Sequence, residues 1–310
     1  MGIKSISKGN RILIVSFAAT FIVLSAAALA IIYLPRLQTL QHIPATYSIV
    51  TPDWMRFVAS GLDKVTVMNF TNIHAVNGDF SVFTSDELLV LSGFSTQVNV
   101  TNSEYLVTAS YPNPNPNSDE LALNIIKLDS TTYKVFQSEL RNGSSSTIAY
   151  EGTVLYQVTR STSDSPAYVN GYVCLTRGYL LYSDGAKGLD LIKSALDNEA
   201  GTGRLVDDQE VKAALYLLSQ AKSAELAYSY SKLPYAVSDV VATSTMVRYD
   251  SNTIITSSVY IFNTTSTAQH DIDKIKQANL NATDFQIIDN YILVTAKYDK
   301  ANLLGELRSI

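Results

Sequence analysis

Apolar side chains fill Ile12 to Leu34 almost without a break, interrupted only by Ser16, Thr20, Ser25 and the Tyr33 hydroxyl. A helix of this length rises about 30 to 35 Å, enough for a hydrocarbon core of about 30 Å, so the run predicts a transmembrane helix over residues 12–34. Lys4, Lys8 and Arg11 precede it and only Arg36 follows closely. By the positive-inside rule, residues 1–11 are then a cytoplasmic tail and everything after the span is exported. Residues 35–51 carry Pro35 and Pro44, show no periodicity and predict a stalk. Two other readings stand beside the anchor. A cleaved signal peptide has Ala28-Leu29-Ala30 as a small-x-small cleavage site, but the apolar run exceeds the usual h-region of about 7 to 15 residues. A pilin-type signal, processed after Lys8-Gly9 to yield a filament subunit, is the other, and Asn10 and Arg11 depart from its motif.

Past the stalk the pattern turns to short β-rich runs. Thr51-Pro52-Asp53 reads as the start of a short helix through Trp54, Phe57 and Val58, stopped at Gly61. Strands are predicted over 64–70, 80–83, 87–94, 96–100, 105–110, 121–128, 133–140, 147–150 and 153–159, with a hairpin over 168–182. The alternating Pro and Asn of 111–119 mark an exposed loop. After Asp184-Gly185 the period lengthens. Leu189, Ile192 and Leu196, then Val211, Leu215 and Leu218, recur at three- and four-residue spacing and predict two amphipathic helices joined by Gly201-Thr202-Gly203. Asp207 and Asp208 sit where the second helix's dipole favours carboxylates. The tail adds a strand over 253–262, a helix over 267–280, a strand pair over 284–297 and a closing helix over 300–310. The fold class is therefore α+β: an N-terminal transmembrane helix, then a mostly antiparallel sheet ectodomain with helices on one face. The ectodomain divides into a first half, 52–205, and a second half, 206–310. An echo of 178–196 in 290–307 reads as two strand-strand-helix pseudo-repeats.

Tyr150-Glu151-Gly152-Thr153-Val154-Leu155-Tyr156, then Gly178-Tyr179-Leu180-Leu181-Tyr182-Ser183-Asp184, a helix, and Leu205-Val206-Asp207-Asp208 opening another helix form a recognisable succession. Over roughly residues 150–218 it resembles a family of uncharacterised membrane-anchored proteins of bacteria and archaea. The resemblance implies a fold and an address, and no reaction.

Composition narrows the partners. The net charge is −5, with both signs mixed along the chain, and no basic stripe invites nucleic acid. Charged residues make up 16% of the chain, below the usual quarter or so, while Ser, Thr and Asn are plentiful, which suits an exported protein. Cys174 is the single cysteine, so an intrachain disulfide is impossible; inside an apolar run it reads as a small buried hydrophobe. Asn-x-Ser/Thr sequons stand at Asn69, Asn99, Asn142, Asn263 and Asn281 and permit glycosylation, although this composition yields about four by chance.

Catalytic patterns are missing from the sequence. His42, His74 and His270 are scattered, without ligand spacing to one another or to Cys174, so no metal or cofactor is expected. Ser219-x-x-Lys222 lacks a following Lys-Thr-Gly, and Gly201-x-Gly203 follows a helix rather than a strand. Asp271 and Asp273 read as dipole and pair partners of Lys274 and Lys276. Tyr228, Tyr230 and Tyr235 form either an aromatic contact patch or strand-face packing. The expected function is a non-catalytic, single-pass surface subunit, held in the lipid bilayer and docking on another membrane or envelope protein. Ser16, Thr20, Val23, Ala27 and Ala30 form a small-residue face on the span for helix packing. The alternative is an extracytoplasmic solute or carbohydrate binder, or a hydrolase, with a cleft between the halves. A deep pocket lined by Asp, Glu, His or several tyrosines distinguishes that alternative.

Overall fold

The computed structural model describes residues 42–310, apart from 78–102, 114–120, 143–145, 163–164, 221–222 and the single positions 186, 202, 236, 238 and 309. The expected span, with Ser16, Thr20, Val23, Ala27 and Ala30, lies outside these residues, as does Asn99. No helix among the described residues is long and apolar enough to cross a membrane.

After a 3-10 turn at Asp53–Phe57 the elements run β1 (Lys64–Asn69), α1 (Phe70–Asn77), β2 (Tyr105–Tyr111), β3 (Leu121–Lys127), α2 (Ser130–Asn142), β4 (Thr147–Tyr150), β5 (Thr153–Thr162), β6 (Ser165–Thr176) and β7 (Tyr179–Asp184). They continue with α3 (Gly188–Ala200), α4 (Gln209–Leu218), β8 (Ala224–Ser231), β9 (Val240–Asp250), β10 (Thr253–Phe262), α5 (Thr265–Ala278), β11 (Ala282–Ile288), β12 (Tyr291–Asp299) and α6 (Leu303–Arg308). The twelve strands among the described residues join one sheet, in the order β11-β12-β10-β9-β8-β1-β2-β3-β7-β6-β5-β4. Every pairing is antiparallel.

This continuous sheet corrects the expected fold, because helices cover both of its faces. On the front, Ile192 and Leu196 of α3 and Val211 and Leu218 of α4 pack with Val67, Ile125, Leu181 and Tyr228. On the back, Ile73 of α1, Phe136 and Leu140 of α2 and Leu303 of α6 pack with Ile126, Leu180, Tyr182 and Val247. Ala268 and Ile275 of α5 cover Tyr260, Ile292 and Val294. Strand β7 shows why: Tyr179 and Leu181 face the front core while Leu180 and Tyr182 face the back core. A strand buried on both sides reads as a solid apolar run rather than an alternation. The expected strand-strand-helix echo breaks at the same place, since α3 follows β7 onto the front whereas α6 follows β12 onto the back.

Residues 133–140 are helix α2, not the strand their β-branched and aromatic content predicts. Asp129 decides it, because its Oδ1 accepts from the Thr131 and Thr132 amides at 2.8 and 3.0 Å and starts the helix. Phe136 and Leu140, four apart, then share the buried side. Burying each is worth roughly 1.5–3 kcal/mol, more than the small propensity difference that favours a strand. In the same way Asn69 closes β1 and opens α1, its Oδ1 accepting from the Asn72 amide at 3.0 Å. Midway along the back face, Asn124, Thr108, Thr66, Ser229, Thr245 and Ser258 are successive register partners on six strands. The back core that α2 and α6 share lies to one side of this row, where Ile126, Leu106, Met68, Ala227 and Val247 are the next register partners.

Residues 42–50 lie along the domain. Ile43, Tyr47 and Ile49 pack against the front core, and the Tyr47 and Tyr216 rings are 4.9 Å apart. The Ile43 amide donates to Asp289 Oδ2 at 2.8 Å, and His42 pairs with the other Asp289 oxygen.

Candidate functional site

The register of the central strands brings distant residues into one line at an open end of the front face. Asn69 pairs with Tyr105, Tyr105 with Lys127, and Lys127 with Tyr179. A β-bulge extends this line across β8. The ladder with β9 shifts between Glu225 and Ala227, so Leu226 is an extra residue. Leu226 and Ala227 are both buried in the back core, while Tyr228 stays at the front. With strict alternation Glu225 would point backwards; the bulge turns it to the front, opposite Arg248.

These strand ends floor a cavity of about 450 Å³ whose rim is Val50 to Trp54. Glu104, Tyr105, Lys127, Tyr179, Asn69 and Glu225 line it together with Asp53 and Trp54. The rim is set by packing: the Phe57 and Tyr179 rings meet edge-on at 5.1 Å, and Trp54 lies 6.4 Å from Tyr228. The Tyr105 and Tyr179 hydroxyls hydrogen-bond at 2.7 Å, and the Lys127 Nζ sits 4.4 Å above the Tyr179 ring. Burial is the main cause that pushes both phenol pKa values up, so both stay protonated at neutral pH. Burial also raises the Glu225 carboxyl above its ordinary range, opposed by the charge of Arg248. Arg248 is itself only 4% exposed, and one of its nitrogens donates to Ser257 Oγ at 3.0 Å while another reaches the Leu218 carbonyl.

No protein-family model matches the sequence, and no curated protein matches it. Among solved structures, crystal form I of TP0453 is similar with a TM-score of 0.45 and 10% identity, covering 84% of this chain and 98% of that one. Crystal form III of TP0453 gives 0.44 and 9%, covering 85% and 100%.

A second cavity of about 410 Å³ adjoins the first across the ridge Thr51-Pro52-Asp53, which lines both. Arg56, Glu199, Arg204, Val206, Asp207 and Lys212 form its other walls. Backbone bonds from Leu205 to the Val58 carbonyl at 2.7 Å and from Ser60 to the Gly203 carbonyl at 3.0 Å fix the loop that carries Arg204. Asp208 caps α4, its Oδ1 accepting from Glu210 and Val211, and so places Lys212 in the first turns of that helix.

The residues singled out in the sequence are not gathered here, Asn69 excepted. Asn142 at the end of α2, and Asn263 and Asn281 in the turns either side of α5, are exposed. Tyr228 and Tyr230 are front-core residues, and Tyr235 packs on Tyr260 with ring centroids 5.2 Å apart, the strand-face alternative. Cys174 is fully buried, and burial pushes its thiol up to about 12. Lys274 pairs with Asp271 at 2.6 Å and Lys276 with Asp273 at 3.6 Å. Among the described residues no three His, Cys, Asp or Glu side chains are grouped to hold a metal ion. The sequence reading gave no site role to Asp53, Glu104, Tyr105, Lys127, Tyr179 or Glu225. Its one local trace was Leu226-Ala227, two adjacent apolar residues that break the alternation of β8.

Proposed function

We propose that the chain is a membrane-tethered, extracytoplasmic binding protein without catalytic activity, whose front cleft takes a ligand carrying a cationic amine. The observation that carries this reading is the bulge that turns Glu225 into the row of Asn69, Tyr105, Lys127 and Tyr179. With Asp53 held by Arg56, Glu104 and Glu225 still outnumber Lys127, whose ammonium already rests on an aromatic ring. Protonated phenols and ring faces suit an ammonium group, and a half-buried carboxylate strengthens its charge-assisted hydrogen bond. The tether rests on the apolar run 12–34 and on Lys4, Lys8 and Arg11, and the family resemblance over 150–218 fits the same address.

Calorimetric titration of the full chain in detergent with hexylamine tests this. Saturable binding is expected, weakened at least about tenfold by Glu225→Gln. Absence of binding, or binding indifferent to that substitution, overturns it.

A further inference from the structure

Resting on the amine reading of the front cleft, we infer that the second cavity receives a carboxylate and that the ligand is a linear zwitterion, of the class of ω-amino acids and short peptides. The charges in this cavity are nearly all committed. Arg204 holds Asp207 through two contacts of 3.0 and 3.2 Å, Arg56 pairs with Asp53 at 3.3 Å, and Glu199 is held by Arg177 at 2.9 Å. Lys212 is the further cation: it lines the cavity half-buried, close enough for its charge to act on Asp207 but without an ion pair of its own within 4 Å among the described residues. A lysine near the start of a helix also works against the macrodipole.

With Asp53 assigned to Arg56, the first cavity keeps Glu104 and Glu225 against Lys127, and the second keeps Lys212 as a cation beyond its three ion pairs. Thr51-Pro52-Asp53 lines both. A ligand with adjacent charges, such as a free α-amino acid, cannot place its ammonium beyond the ridge and its carboxylate before it. A linear chain with a charge at each end can lie across Pro52. Trp54 and Val67 supply apolar wall on the amine side and Val206 on the carboxylate side. Lys212 is then the residue that sets specificity for the acid end, while Glu225 serves the amine end.

The test compares hexylamine with ε-aminocaproate on the full chain by calorimetry. The expected result is that ε-aminocaproate binds about fivefold tighter or better, a margin typical of one partly exposed ion pair. Lys212→Met should bring it down to the level of hexylamine, and Lys212→Arg should restore most of the margin. Equal affinities for the two ligands, or an ε-aminocaproate affinity untouched by Lys212→Met, overturn the zwitterion while leaving the amine reading standing. Failure of both ligands to bind overturns the amine reading and the inference with it. Circular dichroism of each variant confirms that the compared proteins are folded.

Discussion

Glu225 stands opposite Arg248 in the β8–β9 ladder, one residue short of the bulge at Leu226. The pair joins the cleft to the C-terminal end of α4, because Arg248 reaches both the Leu218 carbonyl and Ser257. Replacing Arg248 by Met keeps the length of the side chain but strips the carbonyl of its donor and Glu225 of its counter-charge. A loss of about 2–4 kcal/mol is expected in urea denaturation. A change below 1 kcal/mol or so, with unchanged amine binding, contradicts the role given to this arginine.

The raised pKa of Glu225 fixes a pH dependence. A carboxyl that holds its proton more tightly when folded contributes stability below its unfolded pKa, lost as pH rises through the folded value. Glu225→Gln should therefore flatten the decline of stability across that window. Amine affinity should move the other way, rising with pH as the carboxylate forms. Stability curves for parent and variant that run parallel through the acidic range contradict this.

Cys174 lies in a front-face row between Leu155 and Leu181, with no surface exposed. Its thiol, pushed up to about 12, should ignore a disulfide reagent in the folded protein and react fully once urea unfolds it. Cys174→Ala should cost about 1–3 kcal/mol through lost packing. Rapid labelling of the native protein refutes the buried thiol.

Asp289 clasps residues 42 and 43 from the turn between β11 and β12, where its φ is 51°. Its hydrogen bonds from Ile43 and His42 outweigh desolvation and lower its pKa, so the clasp is complete above the unfolded pKa and is lost as pH falls through the lowered one. Asn tolerates the same backbone, so Asp289→Asn should free residues 42–50 without strain. Faster amide exchange at Ile43 and a global stability change below about 1 kcal/mol are expected. Unchanged exchange shows that Tyr47 and Ile49 hold the segment unaided.

Much of the fold is legible along the chain. Leu189, Ile192 and Leu196, and Val211, Leu215 and Leu218, placed α3 and α4, and Asp208 marked a cap that the structure contains. Helix α2 was hidden because Tyr133, Val135 and Phe136 favour strands, and only Asp129 spoke for a helix. The covering of both faces was hidden because a strand such as β7 carries no alternation to count. The cleft was the least legible part. Asn69, Tyr105, Lys127, Tyr179 and Glu225 come from five strands and meet only through register, which the spacing of residues along each strand does not encode.

The most direct measurement is fluorescence, because Trp54 is the chain's single tryptophan and lines the cleft. The full chain is titrated with hexylamine and, separately, with hexanol, which offers the same hydrocarbon without the charge. A saturable change with hexylamine, none with hexanol at equal concentration, and loss of the hexylamine response in Glu225→Gln are the expected results. An equal response to both compounds, or none to hexylamine, contradicts an amine-binding cleft.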